Sequence, residues 1–266
     1  MTPVQPIEAV FALFAAIGRL AIAALGGIGR VTIFAITTIV RALLPPYYPA
    51  RLFAQLGNLG WLSLPVVGLT AIFTGAALAQ QTFTAGSRFN ATSTVPAIVV
   101  LGMVRELGPV LVGLMVAGRV SSAMAAELGT MRVTEQLDAM TTLRTDPYRY
   151  LIAPRLFASV IALPALVLIA NVIGILGGYL ISVYKLGFNA VGYLSVSRRY
   201  LETGDLAMAL VKAGVFGFFI ALMGCYHGFR TQGGAAGVGR STTNAVVSTF
   251  VLILLSNFLI TVIAFG

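Results

Sequence analysis

The chain has 266 residues, of which 58% are hydrophobic and 9% are charged, and its mean hydropathy is +0.96. These values exclude an ordinary soluble domain and are typical of an integral membrane protein built from a handful of spanning helices. The net charge of +9 does not call for nucleic acid as a partner, because cytoplasmic loops of membrane proteins accumulate arginine and lysine, which attract anionic headgroups.

The first segment, residues 1–50, predicts an amphipathic helix that lies in the membrane interface. Its charges share one helical stripe because they recur every eleven residues, at Glu8, Arg19, Arg30 and Arg41. Arginines on such a stripe would face the headgroups while the apolar remainder enters the acyl boundary. A helix pair broken near Gly26 and Gly27 fits the same pattern, and a spanning helix that hides Arg30 against a partner is the alternative. Consecutive prolines in LLPPYYP, residues 43–49, end the segment.

The second segment, residues 51–266, holds five predicted spans, at about 59–83, 95–128, 148–184, 206–229 and 243–265. The second and third are longer than a hydrocarbon core of about 30 Å requires, so they must protrude, tilt or break. Pro109 and Pro164 mark the predicted places for a break. We therefore expect an all-α membrane protein with one interfacial helix, five transmembrane helices and a cytoplasmic connecting helix.

The distribution of basic residues predicts the orientation. With a cytoplasmic amino terminus, most arginines fall on the inside, and the outside receives only Arg88, Lys185, Arg198, Arg199 and Lys212. This bias favours an amino terminus inside and, after five spans, a carboxyl terminus outside.

An arginine and a glutamate lie side by side in the apolar run LGMVRELGPVLVGLMVAGR, residues 101–119. Pro109 cannot donate a hydrogen bond to the carbonyl of Arg105, so the helix is weakened where the charges lie. Charged groups at this depth face a partner or a wet cavity. Arg105 and Glu106 therefore form either a structural ion pair with each other or part of a cavity that handles a polar headgroup or ion.

Below this pair, small residues recur every four positions, at Gly113, Ala117, Ser121, Ala125 and Gly129. Such a row lets another helix approach closely, within the chain or in a dimer.

The connection after the second span is unusually charged for this chain. Its sequence, ELGTMRVTEQLDAMTTLRTDP, covers residues 127–147. Val133, Leu137 and Met140 share one face, which predicts a short two-sided helix at about 130–142, outside the hydrocarbon. A solvated loop helix without a partner is the alternative interpretation. Asp146 and Pro147 predict the N-cap and first position of the next helix.

No nucleotide-binding or catalytic motif occurs in the sequence. Lys185 and Lys212 are followed by Leu and Ala, which excludes a phosphate-binding P-loop. Cys225 and His227 are the only residues of their types, which excludes an intramolecular disulfide and a zinc-protease motif. We expect that this chain is not an enzyme.

Residues 105–140, RELGPVLVGLMVAGRVSSAMAAELGTMRVTEQLDAM, closely resemble the signature of the MlaE/YrbE permeases, the membrane subunits of MCE-type ABC lipid transporters. The likeness extends to QLGNLG at 55–60, DPYRYLIAPRLFA at 146–158 and GVGRSTTNAVV at 237–247. It implies a homodimer in the bacterial inner membrane, two ABC ATPase subunits beneath it and a periplasmic hexamer of MCE domains above it. Some members also have a small STAS-domain protein. The implied function is ATP-driven phospholipid movement between the inner membrane and the MCE protein, which maintains outer-membrane lipid asymmetry.

The resemblance also implies roles for individual residues. The segment Glu127 to Met140 resembles the coupling helix that docks on the ATPase, with candidate contacts Glu127, Arg132, Glu135, Gln136 and Asp138. An outward-open lipid cavity at the dimer interface would be lined by Arg105, Glu106, Pro109, Gln81 and Phe83. No cofactor is implied for this chain, since the partner ATPase uses the ATP.

Two other classes of function remain open from the sequence. A secondary transporter or channel could use Arg105 and Glu106 as a polar relay without any ATPase. An intramembrane lipid enzyme would need a nucleophile or metal constellation, which this residue inventory does not offer.

Overall fold

The computed structural model describes residues 6–265, and every regular element in that range is a helix. The side chain of Glu8, part of the predicted N-terminal stripe, lies outside what the structure describes. In chain order the elements are α1 (Pro6–Ala42), α2 (Pro49–Ser87), α3 (Thr92–Val133), α4 (Gln136–Thr142), α5 (Tyr148–Tyr184), α6 (Ala190–Tyr200), α7 (Thr203–Phe229) and α8 (Gly234–Phe265).

Six of these helices are long and apolar enough to cross a membrane, which makes the chain a multi-pass membrane protein. Five of them, α2, α3, α5, α7 and α8, contain the five predicted spans. The sixth is α1, over Gly18–Ala42. It continues unbroken through Gly26 and Gly27, so the hypothesis of a helix pair is wrong. Glycine weakens a helix without ending it when neighbouring turns are good helix formers.

The centre of the bundle is formed by α3, α5 and α7, with α2 and α8 on its flanks. Helices α2 and α5 meet backbone to backbone. A Cβ placed on Gly75 would lie 1.8 Å from the carbonyl oxygen of Gly174, and one on Gly177 would lie 2.2 Å from that of Ile72. Only glycine fits at these positions, because any side chain would force the helices apart.

Proline has different consequences in the two longest predicted spans. Helix α5 continues through Pro164, so the predicted break there is wrong. In α3, the turn before Pro109 widens over Met103–Leu107, where the Gly108 N–H donates to the Met103 carbonyl five residues back. A widened turn of this kind adjusts the backbone hydrogen bonds around a residue that lacks an N–H.

The connection between α3 and α5 lies at one end of the bundle. Helix α3 extends to Val133 and Glu135 takes a left-handed conformation (φ 60°), so the short helix begins at Gln136 rather than near residue 130. Leu137 is buried, whereas Val133 is exposed because the break interrupts the predicted apolar face. The Asp146 carboxylate accepts a hydrogen bond from the Tyr148 N–H at 3.0 Å, which confirms the predicted N-cap of α5.

Candidate functional site

The carbonyl group that Pro109 leaves free has a partner from another helix. The ammonium group of Lys212, on α7, donates to the carbonyl oxygen of Arg105 at 2.8 Å. The sequence predicts a weakened helix at this carbonyl, and the structure shows that a lysine occupies the vacant position. The Arg105 carbonyl, which Pro109 cannot bind, thereby accepts a hydrogen bond from a positively charged side chain.

Lys212 is fully buried, and its ammonium group has three acceptors. In addition to the Arg105 carbonyl, it donates to Glu106 Oε1 at 2.8 Å and to Thr261 Oγ1 at 2.7 Å. An ammonium group has three N–H donors, so its hydrogen-bonding capacity is met. This is the condition under which a buried charge is tolerated in a low dielectric.

Glu106 collects the other donors of this site. Thr261 donates to its Oε1 at 2.8 Å, and the Asn257 side-chain amide donates to its Oε2 at 2.8 Å. Asn257 and Thr261 lie one turn apart on α8, so both reach the same carboxylate. The Glu106 side chain nevertheless keeps 39% of its surface exposed.

Arg105 reaches in the other direction, to the first turn of α7. Its Nε lies 2.7 Å from Asp205 Oδ1, and Asp205 is only 3% exposed, whereas Arg105 is 34% exposed. Asp205 Oδ2 also accepts from the Glu202 N–H as part of a capping box at this helix start. The six residues of this polar cluster are Arg105, Glu106, Asp205, Lys212, Asn257 and Thr261.

The polar cluster lies towards the end of the bundle that carries α6, opposite the end that carries α4. Asp205 is in the first turn of α7, Thr261 is in the last turns of α8, and Lys212 is about 14 Å along α7 from Thr203. Arg105 and Glu106 are thus both paired with α7 and partly exposed at the surface of the protomer. That combination suits a site that receives a polar group from outside the chain.

Two interpretations of the sequence are corrected here. The hypothesis of a purely mutual pair between Arg105 and Glu106 is wrong, because each binds a different residue of α7. The sequence predicts that Lys212 lies on the outside of the membrane. The residue lies instead in the membrane-crossing part of α7, where it binds Glu106 and the carbonyl oxygen of Arg105.

Sequence reasoning missed four members of the polar cluster, namely Asp205, Lys212, Asn257 and Thr261. A usable signal existed for one of them. Lys212 lies inside the predicted span 206–229, flanked by apolar residues, and a lysine in that position requires a carboxylate partner.

Gln81 and Phe83, the further candidates for a lipid cavity, lie near the α6 end of α2. Gln81 is exposed and lines a shallow groove with Gln80 and Arg88. Phe83 packs edge-on against Phe188 at 5.9 Å between ring centroids. Neither residue takes part in the hydrogen bonds of the polar cluster described above.

The candidate coupling residues differ in whether they form ion pairs within the chain and in how exposed they are. Glu127 forms a 2.6 Å ion pair with the buried Arg155 of α5, and Arg132 forms one of 2.6 Å with Asp138 across the break between α3 and α4. Glu135 and Gln136 are exposed at that break. The exposed carboxylates of Glu135 and Asp138 therefore lie together on the surface of the connection.

The small-residue row of α3 packs against α7 and α8 of the same chain. A Cβ on Gly113 would lie 3.0 Å from the Phe216 ring, and Ser121 Oγ lies 3.2 Å from Thr249 Oγ1. Ala117 and Ala125 are fully buried in the same row. These contacts bring the helices close enough for the polar cluster to close.

Comparison with known proteins places these features in a family. The family model for Permease MlaE matches residues 52–263. A probable ABC transporter permease protein of Rickettsia bellii is 52% identical over 249 residues, which cover 94% of this chain and 96% of the relative. The chloroplastic protein trigalactosyldiacylglycerol 1 of Arabidopsis thaliana is 38% identical, covering 86% of this chain and 66% of the relative. The intermembrane phospholipid transport system permease protein MlaE of Haemophilus influenzae is 34% identical, covering 81% and 83%.

The pairing of Glu106 with Lys212 predicts a non-additive effect on stability. Glu106→Gln should lower the unfolding free energy by about 3–5 kcal/mol, because the Lys212 charge is left buried without its counter-charge. Adding Lys212→Met should recover part of that loss. Thermal unfolding of the purified protein in detergent measures both, with the exposed Glu135→Gln as a control that should leave the midpoint unchanged. Equal losses in the single and double variants would show that Glu106 does not compensate Lys212.

Proposed function

The chain belongs to the MlaE permease family, and from that membership we propose that it transports phospholipid as the membrane subunit of an ATP-driven ABC transporter. The transport would run between the bacterial inner membrane and a periplasmic MCE protein, and it would maintain outer-membrane lipid asymmetry. Two relatives support this proposal, since one is a phospholipid transport system permease and the other a probable ABC transporter permease.

The observation that carries the proposal is the partly exposed pair of charges in the polar cluster. Arg105 and Glu106 lie in a membrane-crossing helix, each forms an ion pair with α7, and their side chains are 34% and 39% exposed. A phospholipid headgroup carries a phosphate that a guanidinium binds well, and its tails require apolar walls. In a homodimer, the two protomers would enclose this pair of charges in a lipid cavity, with the headgroup near Arg105.

ATP would be bound and hydrolysed by a separate ATPase subunit, so the chain itself would be neither an enzyme nor a cofactor-binding protein. The exposed break between α3 and α4 is the proposed contact with that subunit. Glu135 and Asp138 offer carboxylates there for basic residues of the ATPase. The buried side chain of Leu137 packs α4 against the rest of the protein. A periplasmic MCE hexamer and a STAS-domain protein complete the proposed assembly.

Helix α1 is proposed to lie in the interface rather than to cross the membrane. Arg19 and Arg30 are exposed on it, and its end is fixed to the α4 side of the bundle, where Arg41 forms a 2.9 Å ion pair with Asp146. Charged side chains of this kind are favourable at headgroup level and costly in the hydrocarbon. With five spans the termini lie on opposite sides of the membrane, and the bias of basic residues supports an amino terminus inside and a carboxyl terminus outside.

Phospholipid transfer in a reconstituted system tests the function. The chain, purified with its ATPase subunit in proteoliposomes, should move a fluorescent phospholipid to an acceptor MCE protein only when ATP is supplied. The double variant Arg105→Gln/Asp205→Asn removes both charges together, so that no buried carboxylate is stranded, and should assemble normally but carry less phospholipid. Arg198→Gln, a change at an exposed arginine of α6 outside the polar cluster, should transfer as well as the parent. Transfer that needs no ATPase would instead indicate a secondary transporter, and undiminished transfer by the double variant would remove Arg105 from the lipid path.

The coupling assignment predicts the effect of a charge reversal. Glu135→Lys/Asp138→Lys should abolish co-purification of the ATPase and ATP-dependent transfer while membrane insertion continues, since like charges would then meet. Glu135→Gln/Asp138→Asn is the matched comparison, because it removes the same two carboxylates without adding positive charge. It should weaken co-purification less than the charge reversal does, since no like charges then meet. Recovery of a normal complex from the charge-reversed variant would contradict the docking assignment.

The placement of α1 predicts the side on which the chain ends. Alkaline phosphatase fused after Gly266 should be active, because that enzyme folds only outside the cytoplasm and five spans place the end there. If a fluorescent reporter that needs the cytosol were bright at the same position, α1 would be a sixth span.

A further inference from the structure

A cavity lies where the chain turns from α1 into α2, against the start of α5. Its volume is about 320 Å³, near the lower limit of the range of about 300–1,000 Å³ for small-molecule sites. Leu44, Leu52, Ala153 and Phe157 are among its apolar lining residues, and Arg41 and Arg149 also line it. We call this the elbow cavity. It is separate from the polar cluster, which lies towards the other end of the bundle.

The charges around the elbow cavity are not balanced. Arg41 Nη1 lies 2.9 Å from Asp146 Oδ1, and Arg149 Nε lies 3.6 Å from Asp146 Oδ2, so two guanidinium groups share one carboxylate. A third arginine, Arg51, donates to the Tyr150 hydroxyl and stacks over that ring at 4.7 Å. The described ion pairs of this region thus leave an excess of positive charge beside an apolar cavity.

Arg149 has no carboxylate of its own beside the elbow cavity. Its Nη1 donates to the Pro45 carbonyl at 2.5 Å, and its Nε faces the Asp146 carboxylate at 3.6 Å, beyond hydrogen-bond distance. Asp146 already accepts a hydrogen bond from Arg41 at 2.9 Å. The Arg149 charge is therefore only partly compensated, which favours an anion in the elbow cavity.

The elbow cavity lies at the ends of two helices that are long and apolar enough to cross the membrane, which is where lipid headgroups are expected. Helices α2 and α5 both begin beside it, and Tyr47 and Tyr48 line it. Tyrosines at helix ends are typical of the membrane interface, where an aromatic ring meets both apolar and polar surroundings. An occupant here would have its charged part at the arginines and its apolar part among the leucine and phenylalanine side chains.

We propose that the elbow cavity binds an anionic phospholipid from the leaflet on the α4 side of the membrane. Its phosphate lies against the guanidinium groups of Arg41 and Arg149, and the upper part of an acyl chain lies against Leu44, Leu52 and Phe157. The apolar walls select a lipid over free phosphate, because an inorganic anion would leave them empty. This site does not depend on which molecule the protein transports.

The bound lipid would stabilise the junction of three helices beside the connection to α4. Arg41 belongs to α1 and Arg149 to α5, while Leu52 belongs to α2. A single molecule that contacts all three couples the position of α1 to the helix that follows the proposed ATPase contact. Anionic lipid content of the membrane is thereby expected to affect the protein from a site outside the transport path.

Photo-crosslinking locates such a lipid directly. The full chain in mixed vesicles of phosphatidylcholine and a phosphatidylglycerol that carries a diazirine near its glycerol would be irradiated, digested and mapped by mass spectrometry. Labelled peptides should contain residues 42–52 and 153–157. The variants Arg41→Gln and Arg149→Gln should each lower this labelling about tenfold, since each removes a charge-assisted contact. Arg149→Lys should keep part of it.

Two further variants separate the possible occupants. Ala153→Leu fills the apolar part without changing a charge and should also abolish labelling, whereas Arg240→Gln, an exposed arginine at the start of α8, should not alter it. Competition with inorganic phosphate at millimolar concentration should leave labelling unchanged. Labelling that phosphate displaces, or that Ala153→Leu leaves intact, would overturn the lipid assignment in favour of a simple anion site. Equal labelling by a diazirine phosphatidylcholine, or by the arginine variants, would overturn the requirement for an anionic headgroup.

Discussion

A buried ammonium group holds the functional end of this protein together. Lys212 on α7 is bound by a carbonyl and a carboxylate of α3 and by a hydroxyl of α8. Removing the partners of an ion in a low dielectric lowers the stability of the folded protein by several kcal/mol. The three helices therefore cannot separate there unless the charge is solvated or neutralised. The widened turn before Pro109 supplies the carbonyl, Glu106 the carboxylate and the last turns of α8 the hydroxyl that together meet this requirement. Arg105 binds Asp205, at the start of the same helix α7.

The sequence predicts the helices of this fold far better than the contacts among their polar residues. Hydropathy and length locate the five spans because burying apolar side chains in a bilayer needs no knowledge of tertiary structure. The freed carbonyl of Arg105 was also predictable, since proline removes a defined hydrogen bond. The residue that fills it was not, because Lys212 and Arg105 are separated by 107 positions. Adjacency in sequence suggested a pair between Arg105 and Glu106, but neighbouring residues of a helix point in directions about 100° apart.

The connection after α3 shows a second limit. An apolar face over Val133, Leu137 and Met140 predicts one continuous short helix, and the structure breaks it at Glu135, in a left-handed conformation. Amphipathic spacing indicates which side chains prefer burial. It does not indicate where a single residue in a left-handed conformation ends a helix. The break leaves Leu137 buried and moves Val133 into the open, so that only part of the predicted face packs. Glu135 is exposed at the position where the backbone breaks, which the pattern of charges in the sequence does not predict.

The glycine contacts between α2 and α5 determine how these two helices can move. Gly75 and Gly174 touch through their backbones, and so do Gly177 and Ile72. Sliding one helix by one turn, about 5.4 Å, would bring Ala71 or Ala79, which lie on the same face as Gly75, towards a position that has no room for a Cβ. The two helices are therefore held in register across the bilayer. A rearrangement of the bundle must tilt α2 and α5 together or take place on the side of α7 and α8.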